Sequence, residues 1–123
     1  RAFSYIGDVA PYIAKAPFVE DAANKIFNIG ADKEFSVNQL ANVVMDALDI
    51  KNQIRYLPPR NEVLNAYSDH SLARETFKIN SYTSLEEGVR LMADWVKNVG
   101  VRKTPFFKNI ELYQNLPSIW LEE

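Results

Sequence analysis

An arginine that follows two prolines is the residue of this chain best suited to phosphate chemistry. Pro58 and Pro59 fix φ and exclude a helix, so the chain presents Arg60 on a stiff, extended turn. A guanidinium is a planar cation that binds phosphate oxygens through two parallel hydrogen bonds. Glu62, two residues later, adds a carboxylate that accepts hydrogen bonds from sugar hydroxyls. The stretch indicates either a phosphate contact or an ordinary exposed arginine in a proline turn.

Other side chains that can do chemistry have simpler structural explanations. His70 follows a predicted helix cap without a nucleophile nearby, so we expect it to be exposed rather than catalytic. Glu86 and Glu87 lie in the first turn of a predicted helix, where carboxylates favour the helix dipole, and we do not assign them to a metal. Trp95 and Met92 are expected in the hydrophobic core, because they lie on an apolar helix face.

The composition excludes several classes of function. The chain has 123 residues, which suit one domain, and its 14 basic and 16 acidic residues give a net charge of −2. Because the charges are interspersed, neither nucleic acid nor a membrane is expected as a partner. With no cysteine and one histidine, we expect no disulfide, thiolate nucleophile or metal site.

The two ends and the longest apolar runs bear on where the protein acts. No apolar run is long enough to cross a bilayer and no signal peptide opens the chain, so we expect a cytoplasmic protein. The first residue is Arg1 rather than methionine, from which we expect the chain to begin inside a longer gene product or to follow a processed tag.

Apolar periodicity predicts helices with short strands between them. Ser36 and Gln39 form a capping box ahead of the most clearly patterned helix. Thr83 and Ser84, each with a glutamate three residues beyond, form a second such signature. Asp8 is predicted to cap the first helix. The expected helices cover residues 8 to about 16, 36–49, 71–77 and 84–98. Strand-like runs cover residues 2–6, 25–29, 53–57 and 63–68.

Six short motifs occur in one order along the chain. They are Arg1-x-Phe3-x-Tyr5-Ile6-x-Asp8-Val9, Phe27-Asn28-Ile29-Gly30, Ser36-x-x-x-Leu40-Ala41, Pro59-Arg60-x-Glu62-Val63, Ala66-x-x-Asp69-x-x-x-Ala73-Arg74 and Thr83-Ser84-Leu85-Glu86-Glu87-Gly88. Together they resemble the C-terminal third of extended short-chain dehydrogenases/reductases. Within that family they are most similar to NAD-dependent nucleotide-sugar epimerases and dehydratases of the UDP-glucose 4-epimerase type. The resemblance covers residues 1 to about 99.

The resemblance implies a fold class and a domain organisation. The chain is expected to be an α+β fragment of about four helices with short strands, the C-terminal substrate lobe of a parent α/β enzyme with a Rossmann fold. Residues 1–100 then form the nucleotide-sugar-binding lobe, and the Rossmann domain is absent from this chain. Residues 101–123 are rich in aromatic side chains, and we expect this tail to pack on the lobe.

The resemblance also implies which residues bind substrate. Arg1 and Arg60 match two arginines that contact the nucleotide diphosphate in the family, and we expect them to approach one another. Many family members have Gly-Asp two and three residues after the second arginine, with the aspartate at the ribose, whereas this chain has Glu62-Val63. Glu62 is therefore a candidate for the ribose or a partner of Arg60. Tyr67 is a candidate for the sugar pocket, with packing as the alternative.

The catalytic groups of such an enzyme are expected upstream of this chain. A dinucleotide site needs clustered glycines whose amides hold pyrophosphate, and the four glycines here are isolated. The Tyr-x-x-x-Lys pair of the family is also missing. No catalytic, cofactor-binding or metal-binding residue is therefore assigned to this chain, which is predicted to be inactive alone.

Several alternatives for the intact parent stay open. The resemblance implies a parent that binds NAD and a nucleotide-sugar, with a UDP-sugar favoured, and that forms a homodimer through N-terminal helices. Epimerisation is favoured, with dehydration by an enzyme of the same family as one alternative. A non-catalytic binding domain that retains this lobe is the other. A glycine-rich fingerprint and a Tyr-x-x-x-Lys pair upstream of Arg1 would distinguish an enzyme from a binding domain.

Overall fold

In the part of the chain that the structure describes, four α-helices carry the fold, as the apolar periodicity predicts. The computed structural model describes residues 1–58 and 63–101. The helices are α1 (Ile6–Lys15), α2 (Val37–Leu48), α3 (Ser71–Phe77) and α4 (Leu85–Val99). Two short 3-10 turns, Ala16–Phe18 and Glu20–Ala22, follow α1. In the described part of the chain the only β pairing is a single antiparallel bridge between Ala2 and Glu34.

The prediction of short strands was wrong for the residues that the structure describes. The runs 2–6, 25–29, 53–57 and 63–68 contain no named strand, and α1 already begins at Ile6. An alternating sequence favours extended backbone, but a strand also needs a second extended segment at hydrogen-bonding distance. Only the bridge at Ala2 has such a neighbour in the described ranges.

The two long helices begin at the caps that the sequence predicts. At the start of α2, Gln39 N donates to Ser36 Oγ at 3.1 Å and Ser36 N donates to Gln39 Oε1 at 2.7 Å. This reciprocal capping box satisfies two backbone donors that the first turn leaves without a helical partner. At the start of α4, Glu87 N donates to Ser84 Oγ at 3.2 Å. Local capping chemistry therefore decides where both helices begin.

The start of α1 differs from the prediction. The helix begins at Ile6, so Asp8 lies in its first turn and does not cap it. The Asp8 carboxylate instead accepts two hydrogen bonds from Thr83, from the backbone N at 2.7 Å and from Oγ1 at 2.9 Å. Asp8 therefore bonds to a residue 75 positions away and does not cap its own helix. Since Thr83 immediately precedes the cap of α4, this carboxylate ties α1 to the start of α4.

Replacing Asp8 by asparagine is expected to lower the free energy of unfolding by about 1.5–3 kcal/mol, the contribution of hydrogen bonds to a charged group. The amide has only one acceptor oxygen, so one of the two Thr83 donors loses its partner. Urea denaturation of the variant and the parent chain would measure the difference. Asp21→Asn is the control, because Asp21 is exposed. Equal stability of the two variants would contradict the prediction.

The hydrophobic core is centred on α3. Ala73, Phe77 and Ile79 are at most 4% exposed. The partly buried residues packed around them are Tyr12, Ala16, Val19, Ala22, Phe27, Ile29 and Tyr82. The Phe77 ring centroid lies 5.0 Å from that of Phe27 and 6.0 Å from that of Tyr12. Phe77 therefore joins α1 and the segment around Phe27 to α3.

A second packing region, between α2 and α4, is an apolar groove of about 420 Å³. Its lining residues are Phe3, Ser4, Tyr5, Leu40, Val44, Leu48, Ser84, Leu85, Gly88, Val89, Met92, Ala93 and Val96. Met92 is 56% exposed and Trp95 is 58% exposed, so the prediction that both lie in the core was wrong. Helical spacing assigns residues to one face of α4, but burial requires another element to cover that face.

Some predictions concern residues outside the described ranges. They are the geometry of the proline turn around Arg60 and the packing of the aromatic tail beyond Val101.

Within residues 1–58 and 63–101, no helix combines the length and apolarity needed to cross a membrane. The same ranges contain no group of three or more His, Cys, Asp or Glu side chains placed to hold a metal ion.

Candidate functional site

Arg1 contacts a segment that lies more than sixty positions further along the chain. Its Nη1 donates to the backbone oxygen of Val63 at 2.5 Å and to that of Leu64 at 3.3 Å. The Arg1 backbone is held in turn by Phe35, whose O accepts from Arg1 N at 2.9 Å and whose N donates to Arg1 O at 2.8 Å. Main-chain atoms therefore hold both the backbone and the guanidinium of Arg1.

The same residues line an open depression of about 530 Å³ on the surface. Its lining residues are Arg1, Glu34, Phe35, Ser36, Val37, Gln39, Val63, Leu64 and Asn65. The N-terminus of α2 forms one wall, and its backbone dipole favours negative charge nearby. Lys33 Nζ lies 5.0 Å from the centroid of the Phe35 ring and adds a second cation close to the depression. Glu34 supplies the opposing charge.

Of the four residues predicted to bind substrate, the structure describes Arg1 and Tyr67. Arg1 lines the depression, and its contacts reach Val63, the first described residue after the proline turn. Arg60 and Glu62 lie outside the described residues, so the approach of Arg1 and Arg60 stays a prediction. Tyr67 is 76% exposed and therefore does not pack in the core of the described residues. Its contact with a sugar also stays a prediction.

His70 was expected to be exposed, and this prediction was wrong. Its residue surface is 6% exposed. The imidazole Nδ1 lies 2.8 Å from Asp32 Oδ1, and Nε2 lies 3.0 Å from Ser68 Oγ. The expectation that no nucleophile lies near His70 was wrong as well, since Ser68 carries a hydroxyl. In an extended segment, residues two apart point to the same side, so the Ser-x-His spacing was a usable signal.

Asp32 connects the imidazole to a cation on α3. Its Oδ2 accepts a hydrogen bond from Arg74 Nη1 at 2.8 Å, while its Oδ1 faces His70. Gly30 lies against the other side of the ring, because a Cβ at that position would be 3.2 Å from His70 Nε2. Any larger residue at Gly30 would crowd the imidazole. Asp32 lies 38 residues from His70 in sequence, so no local pattern could have predicted this pair.

The Asp69 carboxylate supports the start of α3, although the residue at the N-cap is His70. Its Oδ1 accepts from Ser71 N at 2.9 Å and from Ser71 Oγ at 2.6 Å. Hydrogen bonds from the Ser71 hydroxyl and backbone hold the pKa of Asp69 below its usual 3.8. The ionised Asp69 carboxylate stabilises the folded chain because its pKa is lower there than in the unfolded chain. This stabilisation is fully present above the pKa of the unfolded chain and is lost as the pH falls through the pKa of the folded chain.

The chain is similar to parts of curated nucleotide-sugar epimerases. It is 35% identical over 100 residues to a Methanocaldococcus jannaschii protein provisionally named UDP-glucose 4-epimerase, a match that covers 80% of this chain and 31% of that protein. It is 26% identical over 116 residues to the GDP-mannose 3,5-epimerase of Arabidopsis thaliana, covering 92% of this chain and 29% of that enzyme. No family model and no solved structure matches the chain.

These likenesses confirm the resemblance that the six ordered motifs indicate. The two relatives are named for different nucleotides, UDP in one and GDP in the other. The chain spans about 30% of the length of each. The match therefore lies within a segment of each relative and does not extend over its whole length.

Proposed function

We propose that residues 1–100 form the C-terminal substrate lobe of an NAD-dependent nucleotide-sugar epimerase whose Rossmann domain lies upstream. The similarity to proteins named as epimerases supports the reaction class, and the 30% share of their length supports a lobe rather than an entire enzyme. A dehydratase of the same family is less well supported, because the relatives reported above are named as epimerases.

The observation that carries this proposal is the contact between Arg1 and the segment that follows the proline turn. Arg1 Nη1 meets the carbonyls of Val63 and Leu64, so the two segments predicted to hold the diphosphate come together. A diphosphate carries several anionic oxygens, which suit two converging guanidiniums. In this proposal Arg1 and Arg60 bind the diphosphate, Glu62 binds the ribose or orients Arg60, and Tyr67 faces the sugar.

The residues of this chain do not fit a dinucleotide site. Such a site needs neighbouring glycines between a strand and a helix, where backbone amides surround the pyrophosphate. Here Gly7 and Gly88 lie inside α1 and α4, and Gly100 ends α4. Gly30 packs against Ser4 and His70. The NAD of the parent is therefore assigned to the upstream domain, which would also supply the proposed homodimer interface.

The lobe would contribute affinity and orientation to the reaction. When bound upstream, NAD supplies the hydride chemistry of the parent enzyme. The residues of this chain would hold the nucleotide diphosphate, and thereby keep the sugar at one distance and angle from that domain. Fixing a reactant in this way lowers the entropic part of the barrier.

The 123-residue chain is expected to show neither saturable binding of NADH nor turnover of UDP-glucose or GDP-mannose. NADH fluorescence during titration would measure the first, and chromatography of the sugar products would measure the second. The full-length parent, with its upstream domain, is the positive control for both. Saturable binding of NADH by the chain alone at micromolar concentrations would contradict the assignment of the cofactor site to the upstream domain.

A further inference from the structure

We propose that Ser68 is a nucleophile, with His70 as its general base and Asp32 as the residue that positions the base, and that it accepts the acyl group of small activated esters. The three side chains form one chain of contacts, with Ser68 Oγ 3.0 Å from His70 Nε2 and His70 Nδ1 2.8 Å from Asp32 Oδ1. This activity is separate from the proposed nucleotide-sugar site and does not depend on it.

The contacts settle which imidazole nitrogen carries the proton in the neutral ring. An ionised carboxylate can only accept hydrogen bonds, so the Nδ1 that faces Asp32 must be the donor. Nε2 then has its lone pair directed at Ser68 and accepts the hydroxyl proton. A serine bound to a base that a third group orients is the arrangement that activates a hydroxyl for nucleophilic attack.

The base of this group is buried, whereas the residue that carries the nucleophile is exposed. The His70 side chain is 5% exposed, so water competes little for its two nitrogens. Ser68 is an exposed residue, so a small ester in solution can approach it. Gly30 packs against the imidazole at Nε2, and Arg74 holds the second oxygen of Asp32 at 2.8 Å. The base is therefore held from two directions, while the nucleophile belongs to an exposed residue.

The acyl transfer balances with an ester and water as the only reactants. Ser68 Oγ attacks the carbonyl carbon while His70 Nε2 takes the hydroxyl proton. The bond from the carbonyl carbon to the leaving oxygen breaks, and the alcohol leaves with the proton that His70 returns. Water then attacks the acyl-Ser68 ester through the same base, which releases the acid and restores the hydroxyl. No oxidant or reductant takes part.

The contacts supply a nucleophile, a base and a positioning carboxylate. We therefore expect the site to accelerate acyl transfer to Ser68 only by the factor that general-base catalysis provides. This acceleration is about 10²–10⁴-fold.

A fluorophosphonate probe measures the reactivity of the hydroxyl directly, since Ser68 Oγ would bond to phosphorus as fluoride leaves. Mass spectrometry then identifies which serine carries the phosphonyl group.

The first test uses the unaltered 123-residue chain and needs no variant. Ser68 is expected to be labelled at least about 100-fold faster than Ser71, in line with the acceleration that general-base catalysis provides. Ser71 is the internal control, because it is also exposed but its hydroxyl donates to a carboxylate, Asp69 Oδ1 at 2.6 Å. Equal labelling of the two serines, or labelling of neither, would overturn the proposal.

The second test separates catalysis from a purely structural network. Asp32→Asn keeps the shape but offers an amide N–H to Nδ1, which favours the opposite tautomer and removes the acceptor that faces Ser68. Labelling of Ser68 and hydrolysis of p-nitrophenyl acetate are both expected to fall at least about 100-fold. Ser71→Ala should change neither. A folded Asp32→Asn variant that keeps the wild-type labelling rate would overturn the proposal.

The third test uses chemical rescue of the base. In His70→Ala, added imidazole is expected to restore part of the labelling of Ser68, because a small base can enter the space that the ring leaves. A residue with only a structural role would not give rescue that depends on a base. N-methylpyrrole, a ring of similar size without a basic nitrogen, is the control. Equal recovery with both rings, in a variant whose circular dichroism is native, would count against His70 as the base.

Discussion

Replacing Phe77 by alanine is expected to lower the free energy of unfolding by about 3–5 kcal/mol, the usual cost of removing a buried phenylalanine. Phe77 is 4% exposed and packs within 5.0 Å of Phe27 and 6.0 Å of Tyr12, measured between ring centroids. Its loss would leave a cavity where α1, α3 and the segment around Phe27 meet. Because native domains are stable by only about 5–15 kcal/mol, this loss removes a substantial share of the stability, and the variant is expected to unfold at a lower temperature than the parent chain.

Thermal and urea denaturation, followed by circular dichroism, would measure this loss. Leu72→Ala is the matched control, since Leu72 lies on the same helix but is 46% exposed. It is expected to cost about 1 kcal/mol or less, because surface changes have small effects on stability. If the two variants lost the same stability, the core could not be centred on Phe77.

Replacing Arg60 by alanine in the intact parent is expected to weaken nucleotide-sugar binding at least about tenfold. Each charge-assisted hydrogen bond to phosphate contributes about 1.5–3 kcal/mol, and about 1.4 kcal/mol corresponds to a factor of ten in Kd. Folding should change little, because the sequence predicts a surface position for Arg60 and surface charges contribute little to stability. The prediction follows from the proline turn and from the Arg1 contacts with Val63 and Leu64 beside it.

Calorimetric titration of the parent with UDP-glucose and with GDP-mannose would measure the loss and identify the preferred nucleotide. Arg55→Ala is the control, because Arg55 is an exposed arginine five residues before Arg60. Weaker binding in Arg60→Ala alone would support the diphosphate assignment. Unchanged affinity, with unchanged thermal stability, would leave Arg60 as a surface residue in a proline turn. This outcome would not affect the Ser68 proposal, whose tests need neither the parent nor a nucleotide.

The sequence by itself determined the helices, because their signals are local. Ser36 and Gln39 lie three residues apart, so the capping box that begins α2 needs no distant partner. The same holds for Ser84 at the start of α4. The order and spacing of the six motifs also determined the resemblance to nucleotide-sugar epimerases, which the relatives bear out. Each of these inferences depends on neighbours along the chain.

Only the tertiary structure decided the roles of side chains whose partners are distant in sequence. By its local sequence Asp8 is suited to cap a helix, but its carboxylate accepts hydrogen bonds from Thr83, 75 positions away. His70 fits an exposed position by local rules, yet it is 6% exposed, and its imidazole lies against Asp32 and Gly30. Met92 lies on an apolar face of α4, but the described residues leave that face open. Burial and pairing depend on which segments meet in space, and a pattern of neighbouring residues carries no information about that meeting.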